Sequence, residues 1–340
     1  MAKEETKKVE SNSRCVDDAL RDCNVDQSIW EVDHFTIGEN TRGYNFTLYL
    51  KKRGVELADM TSFFAKLGKA SKSIPLISRP TITGEKLLAE VNISDLHLGS
   101  LCWEKETGNN YDLKIAEKIF REAINHKVKE LKRFPIEKII FPLGNDFYHF
   151  DNFENTTTGG TPQDSDSRFP KMFQKGVELI IWAINQLKKI APVEIIVVSG
   201  NHGRTAEQAL GCVISAYFHN DKNVTVDDSL LPRKYRRYGK TLLGYLHGDS
   251  VKMDKLPLLM ATEAKKWWGE TKYRYITLGH FHHQSKTQDE ISGVLVSISG
   301  ALCSEDFWHK SKGFSGNIKT AATTLYSKER GRTHQIYFNL

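Results

Sequence analysis

The amino-acid sequence predicts an α/β fold preceded by a small α+β module, and three observations lead there. From about Leu87 onward, apolar strands alternate with amphipathic helices, the pattern of an α/β core. The runs "IIVV" and "VLVSI" are continuously apolar, as strands covered on both faces are. Upstream of Leu87 that alternation is absent; one helical stretch is followed by a strand-like hairpin.

Taken in order, residues 1–11 are charged and predict a disordered tail. Residues 12–54 predict the small α+β domain. Between Arg14 and Cys23, Val16, Ala19, Leu20 and Cys23 share one helical face. "WEVDHFTIGENTRGYNFTLYLKK" predicts a hairpin: Tyr44, Phe46, Leu48 and Leu50 alternate with Asn45, Thr47, Tyr49 and Lys51, and Gly38, Asn40 and Gly43 supply the turn. A helix followed by a hairpin suits either the end of a winged-helix module or a plain α+β cap. Charges here are balanced, without the basic footprint of a nucleic-acid binder. Residues 55–86 predict a connector with a short helix around Met60–Leu67. Residues 87–340 predict the main domain. Its strands lie in "KLLAEVNISD", "EKIIFPLG", "VEIIVVSG", "KTLLGYLHG", "YRYITLG", "GVLVSISG" and "HQIYFNL", and its helices near 112–133, 170–190, 205–219 and 256–268.

The chain of 340 residues is 39% hydrophobic and 26% charged, with a formal net charge of +6 that suits an anionic partner. No window approaches the roughly 18 apolar residues of a membrane span. "MAKEETKKVE" lacks the apolar core of a secretory signal, which predicts a cytoplasmic location. Five cysteines without a C-x-x-C pair predict reduced thiols.

The chemistry lies where the strands end. "EVNIS" runs into Asp95-Leu96-His97, and "IIFPL" into Gly144-Asn145-Asp146-Phe147-Tyr148-His149. "IIVVS" runs into Gly200-Asn201-His202, "LLGYL" into His247-Gly248-Asp249, and "YRYITL" into Gly279-His280-Phe281-His282-His283. Ligands of open α/β folds gather at the carboxyl ends of strands, so these side chains are expected in one cleft. Carboxylate, amide oxygen and imidazole are ligand types for Mn²⁺, Fe²⁺ or Zn²⁺. Asp-x-His and His-x-His on an extended segment present both side chains to one face. A carboxylate between two cations can bridge them, and paired metals clamp the attacking and leaving oxygens of a phosphoryl displacement. Any one of these pairs alone is a weak signal; five in order, each after an apolar strand, is a strong one.

The order D-x-H, G-D-x-x-[DH], G-N-H, H, G-H-x-H resembles that of the calcineurin-like metallophosphoesterase superfamily, over about residues 88–300. The resemblance implies a four-layer α/β/β/α sandwich and two divalent metal ions. Asp95, His97, Asp146 and His282 would hold one; Asp146, Asn201, His247 and His280 would hold the other, with Asp146 as the bridge. Mixed oxygen and imidazole ligation favours Mn²⁺, with Fe²⁺ or Zn²⁺ as alternatives. His202 would stand near the leaving oxygen. Two departures stand out. Asn145 is inserted between Gly144 and Asp146, which leaves Asn145 as an alternative ligand. Gly203 stands where the family usually has an acid that orients His202, so Asp151 or Asp249 would have to do so.

"FPLGNDFYHF" places His149 three residues after Asp146, which resembles the superfamily branch that contains double-strand-break repair nucleases. That implies a phosphodiesterase or exonuclease-like hydrolase acting on DNA or RNA through metal-activated water, alone or with an ATPase partner. His202, His149 and Arg204 are its expected catalytic residues. A phosphomonoesterase, a hydrolase of small cyclic or dinucleotides, and a non-catalytic scaffold are the alternatives. The loop "DNFENTTTGGTPQDSDSRFP" is similar to stretches of phage-encoded metallophosphoesterases, which would place the protein in a host cytoplasm; Thr156–Thr158 and Arg168 are phosphate-binding candidates there. "PRKYRRYGK" is either a nucleic-acid track or a solvated turn. Trp267, Trp268, Phe307, Trp308 and His309 are expected to pack rather than to stack bases.

Overall fold

In the computed structural model, residues 6–12, 15–25, 30–40, 43–52, 57–70, 79, 82–282, 289–313 and 316–340 are described. The chain divides into two compact units, Met1–Ala65 and Lys66–Leu340.

The first unit contains β1 (Thr6–Ser11), α1 (Val16–Asp22), β2 (Trp30–Asn40) and β3 (Gly43–Lys52); α2 (Leu57–Ala70) crosses its end. The strands form an antiparallel sheet in the order β1-β3-β2. Phe46, Leu48 and Leu50 alternate onto one face and bury against Ala19 and Leu20 of α1, so the two sequence periodicities meet in one core. Three expectations are corrected here. Residues 6–11 are a strand rather than a disordered tail: Val9 pairs with Leu48 and packs on that core, and the ladder outweighs the charged composition. Residues 1–5 lie outside the described residues. Gly38 sits inside β2 opposite Asn45 rather than in the turn, whose residues 41–42 lie outside the described residues. The helix expected around Met60–Leu67 extends over Leu57–Ala70; most of the connector after it, 71–78 and 80–81, also lies outside them.

The second unit runs β4 (Leu87–Val91), α3 (Glu104–Thr107), α4 (Leu113–Leu131), β5 (Ile136–Gly144), α5 (Phe169–Leu187), β6 (Val193–Val198) and α6 (Arg204–Phe218). It continues with β7 (Val224–Asp227), β8 (Lys234–Tyr238), β9 (Thr241–Tyr245), α7 (Leu256–Glu263), α8 (Lys265–Glu270) and β10 (Tyr273–Leu278). The last elements are β11 (Asp289–Ile291), β12 (Val294–Ile298), α9 (Phe307–Ser311), β13 (Thr320–Ser327) and β14 (Gly331–Asn339).

Two sheets form, in the orders β14-β13-β4-β5-β6-β7 and β11-β12-β10-β9-β8. β4 to β7 are mutually parallel, as are β12, β10 and β9. Strand alternation builds the layers. Leu88, Ile140, Ile196 and Val198 of the first sheet meet Leu243 and Tyr245 of the second between the sheets. On the second sheet's other side, Leu242, Ile276 and Val296 pack on Leu256 and Met260 of α7. Full burial of each such aliphatic side chain contributes about 1.5–3 kcal/mol. α4 covers the first sheet's outer face, where buried Lys127 donates to Ala321 O (3.0 Å) and Thr323 Oγ1 (3.2 Å) of β13. The fold is therefore mixed α/β with helix, sheet, sheet and helix in layers. The helix expected near 256–268 breaks at Ala264, whose backbone leaves helical geometry. The parallel strands of both sheets point their carboxyl ends to one edge of the sandwich.

Candidate metal centre

The segments leaving those strand ends are spliced together by backbone hydrogen bonds. The Asp95 N–H donates to Asn145 O (2.7 Å), His97 N–H to Asp146 O (3.0 Å) and Leu98 N–H to Phe147 O (2.8 Å), while Asn145 N–H donates to Val198 O (2.6 Å). Sharp turns at these ends force unusual backbone. Asp95, His97, Asn145, Asp146, His280 and His282 all have positive φ, between 47° and 71°. Non-glycine residues held there cost about 1–3 kcal/mol each and persist where the surroundings over-determine them. Gly200 is required by contact instead: a Cβ there would collide with the Asp146 carboxylate.

The result is a convergence of donors. Asp95, His97 and Asp146 have ligand atoms within 4.8 Å of one another, and so do Asp146, His247 and His280. Asp146 belongs to both groups. His282 joins the first: its Nε2 is 3.3 Å from Asp95 Oδ1 and 3.0 Å from His97 Nε2. Asn201 joins the second, with Oδ1 2.9 Å from His247 Nε2, which is itself 3.0 Å from Asp146 Oδ2. The His280 backbone N–H donates to Asp95 (3.0 Å) and so ties the second sheet's loop to the first sheet's carboxylate. All seven residues expected to hold metal therefore meet at one place. Asn145 is buried beside them with Oδ1 unbonded, yet the carboxylate common to both groups is that of Asp146.

The electrostatics suit cations. Burial opposes a charge on His247, but facing Asp146 raises it to about 9. The same pairing overrides burial and holds the Asp146 carboxyl well below its usual range. Burial also opposes a charge on His282, yet Cys303 and Asp95 raise its pKa. Each donor group thus contains one imidazole that takes up a proton in place of another positive charge. His97 is pushed down by burial and then by neighbouring imidazoles, and His280 by burial and then by His247. Clusters of this donor chemistry could bind divalent metal, and the unbonded buried His247 Nδ1 fits that use.

The expected catalytic residues are placed less uniformly. His202 is half-buried, its ring 4.5 Å from that of His97. Neither Asp151 nor Asp249 orients it. Its Nδ1 is 2.9 Å from the His149 carbonyl, so a backbone oxygen takes the part expected of a side-chain acid. Asp151 instead accepts from Ala206 N–H (2.7 Å) and Thr158 Oγ1 (2.8 Å), and Asp249 pairs with Arg204 at 3.2 Å. Arg204 is thereby turned to the rim. His149 is buried, with Nδ1 3.0 Å from His97 Nδ1, and burial pushes it down to about 3. A neutral imidazole so placed lies against the rings of His97 and His202. Thr156 bonds within its own loop, and Thr158 Oγ1 donates to Asp151 (2.8 Å) and accepts from the Arg204 N–H (3.1 Å).

The run "PRKYRRYGK" contains β8, and four of its five cations are paired: Arg233 with Glu263, Lys234 with Asp227, Arg236 with Glu194 and Asp227, and Arg237 with Glu270. It is neither a free basic track nor a solvated turn. Trp267 and Trp268 pack on the α7 core as expected. Phe307 and Trp308 do not follow the packing expectation; both are exposed.

Two residues were missed by sequence. Buried Glu207 of α6 accepts from Phe147 N–H and Gly200 N–H, both at 2.6 Å, and so clamps the Asp146 loop to the Asn201 loop. Burial and then Asp146 push it up to about 8. Buried Cys303 has Sγ 3.7 Å from His282 Nδ1, and it groups with His97 and His282. Neither sits in a motif. A glutamate six positions past Asn201 on an amphipathic helix carries no local signal, and the cysteine lies far along the chain.

No family model matches the chain, and no curated protein matches it. Among solved structures it is similar to the Thermus thermophilus sulfate thiohydrolase SoxB in complex with glycerol, at 10% identity and a TM-score of 0.33, over 77% of this chain and 58% of that one. The chain thus spans little more than half of that neighbour. It is also similar to a formyltetrahydrofolate deformylase from Burkholderia mallei, at 12% identity and a TM-score of 0.13, over 98% of this chain and 83% of that one. At these scores neither likeness bears on function.

Proposed function

We propose that the chain is a two-metal-dependent phosphodiesterase acting on DNA or RNA. The observation that carries this reading is one buried carboxylate, Asp146, shared by two groups of oxygen and imidazole donors. Asp95, His97, Asp146 and His282 would hold one cation, and Asp146, Asn201, His247 and His280 the other, with Mn²⁺ favoured over Fe²⁺ or Zn²⁺. Bound divalent cations supply Lewis acidity to phosphoryl oxygens and a water-derived nucleophile at neutral pH.

The chain's own residues do the rest. Asp146 and Asp95 fix the donors of both sheets around one point. The carbonyl of His149 holds His202 by Nδ1–H, which leaves Nε2 as the atom that passes a proton to the departing oxygen, the ring going from imidazolium to neutral imidazole. His149 sets the rings of His97 and His202. Arg204 adds positive charge at the rim, tempered by Asp249.

The test is hydrolysis of bis-p-nitrophenyl phosphate against p-nitrophenyl phosphate with Mn²⁺, alongside metal analysis. Preference for the diester with two bound metals is expected. Preference for the monoester overturns the diester reading, and failure to take up metal overturns the enzyme reading.

A further inference from the structure

The cleft has an aromatic rim that the metal donors do not use. Trp103 is 51% exposed, Phe307 59% and Trp308 56%. Single exposed apolar side chains need no explanation, but several large ones on neighbouring segments at the mouth of a site do. Trp103 begins α3, on the segment that carries Asp95 and His97; α3 lies beside α9, which carries Phe307 and Trp308.

α9 is anchored to the cluster itself. Asp306 caps it by accepting from His309 N–H (2.9 Å) and lies 2.7 Å from His309 Nδ1. The His309 ring stacks on that of His282, 4.9 Å between centroids and 17° between planes. Consecutive helical side chains diverge by about 100°. With His309 turned onto His282, the Trp308 ring stands edge-on to the His309 ring, 5.1 Å between centroids, and both it and Phe307 reach solvent. The segment holding a metal-facing imidazole in place is thus the one that presents the aromatics. Lysines stand among them: Lys105 Nζ lies 5.3 Å from the Trp103 ring centroid, Lys310 of α9 pairs with Glu305 at 3.1 Å, and Lys312 follows α9.

We propose that Trp308, with Phe307 and Trp103, is a stacking platform for an unpaired nucleobase of the strand whose phosphate lies at the cluster. This rests on the phosphodiesterase reading above. The juxtaposition selects the occupant: flat aromatic faces and ammonium groups beside a phosphate-handling centre match a base, its backbone and its phosphate. A base inside a duplex has its faces covered by its neighbours, so the platform selects single strands.

The experiment uses the full chain with Trp308→Ala, Phe307→Ala and Trp308→Phe. One arm measures cleavage with Mn²⁺ of a single-stranded oligonucleotide and of the same strand with abasic spacers. A second arm measures binding of a 2-aminopurine-labelled single strand to metal-free protein by fluorescence. Trp308→Ala is expected to raise KM for the base-bearing strand about tenfold, leave kcat within about twofold and leave the abasic strand unaffected. Trp308→Phe is expected to retain most of the affinity. Quenching of 2-aminopurine is expected in the parent and weakened in both alanine variants. Unchanged KM and quenching in both alanine variants, equal losses on base-bearing and abasic strands, or equal binding of duplex overturns the platform. Quenching that depends on Trp308, with no cleavage of either strand, overturns the phosphodiesterase reading and leaves the platform standing.

Discussion

The half of the centre built on the first sheet differs from the half built on the second. Asp95, His97, Asp146 and Asn201 follow β4, β5 and β6, where backbone hydrogen bonds and the Glu207 clamp lock the segments to one another. His247, His280 and His282 follow β9 and β10 and are steadied largely by the first half, through Asp146 and Asp95. One half supplies negative charge and rigidity; the other supplies imidazoles that follow that charge. The centre is a braced frame with a responsive partner.

The contrast can be broken most severely at Asp146. Asp146→Asn removes the charge that both halves share, and turnover is expected to fall by well over 100-fold, with metal content, two per chain in the proposed enzyme, dropping to one or none by elemental analysis. Losing a group that merely orients a ligand already costs about 10–100-fold. His202→Ala tests whether proton delivery is separate from metal holding: turnover should fall about 10²–10⁴-fold with metal content unchanged. A fully active variant removes His202 from the mechanism. Glu207→Ala loosens the brace without touching a donor. It leaves two buried N–H groups unpaired, at a cost of about 1–3 kcal/mol each, and metal affinity should weaken about 10–100-fold by calorimetry. If Glu207→Ala binds metal like the parent, the first half is not the frame.

The smallest effect concerns protons. The His247 pKa lies near 9 in the metal-free fold, above the unfolded value of 6.5. Its pairing with Asp146 therefore stabilises the metal-free protein fully below about 6.5 and is lost as pH rises through about 9. Metal must displace that proton, so affinity of the group containing His247 should rise about tenfold per pH unit from pH 7 until it levels near 9. Calorimetry in buffers of different ionisation heat should count the proton released. In the chelated protein, denaturant midpoints should lose this contribution over the same range.

Much of the centre was legible because its donors sit directly after apolar strands, where a short local pattern announces them. Asp95-x-His97 and His280-x-His282 need only the strand period to be recognised. What escaped was non-local. The carbonyl that holds His202 belongs to no motif, and the acids that pair with β8 lie as much as 42 residues away in sequence. β13, "TAATTLYS", reads as a polar stretch although it is buried almost throughout, because threonine and alanine carry little apolar signal. β1 was hidden by its lysines, which a partner strand tolerates. Exposure of Trp308 was invisible for a similar reason: composition says what a residue prefers and not which side of a five-residue helix faces the solvent.

The six left-handed residues around the cleft set stability against activity at the same positions. Replacing Asn145 by glycine would relieve torsion without breaking a charge pair, whereas the same change at Asp95 or Asp146 would set that relief against the lost pairing with His282 or His247. A screen for thermal robustness alone would therefore reach Asn145 before the charged donors.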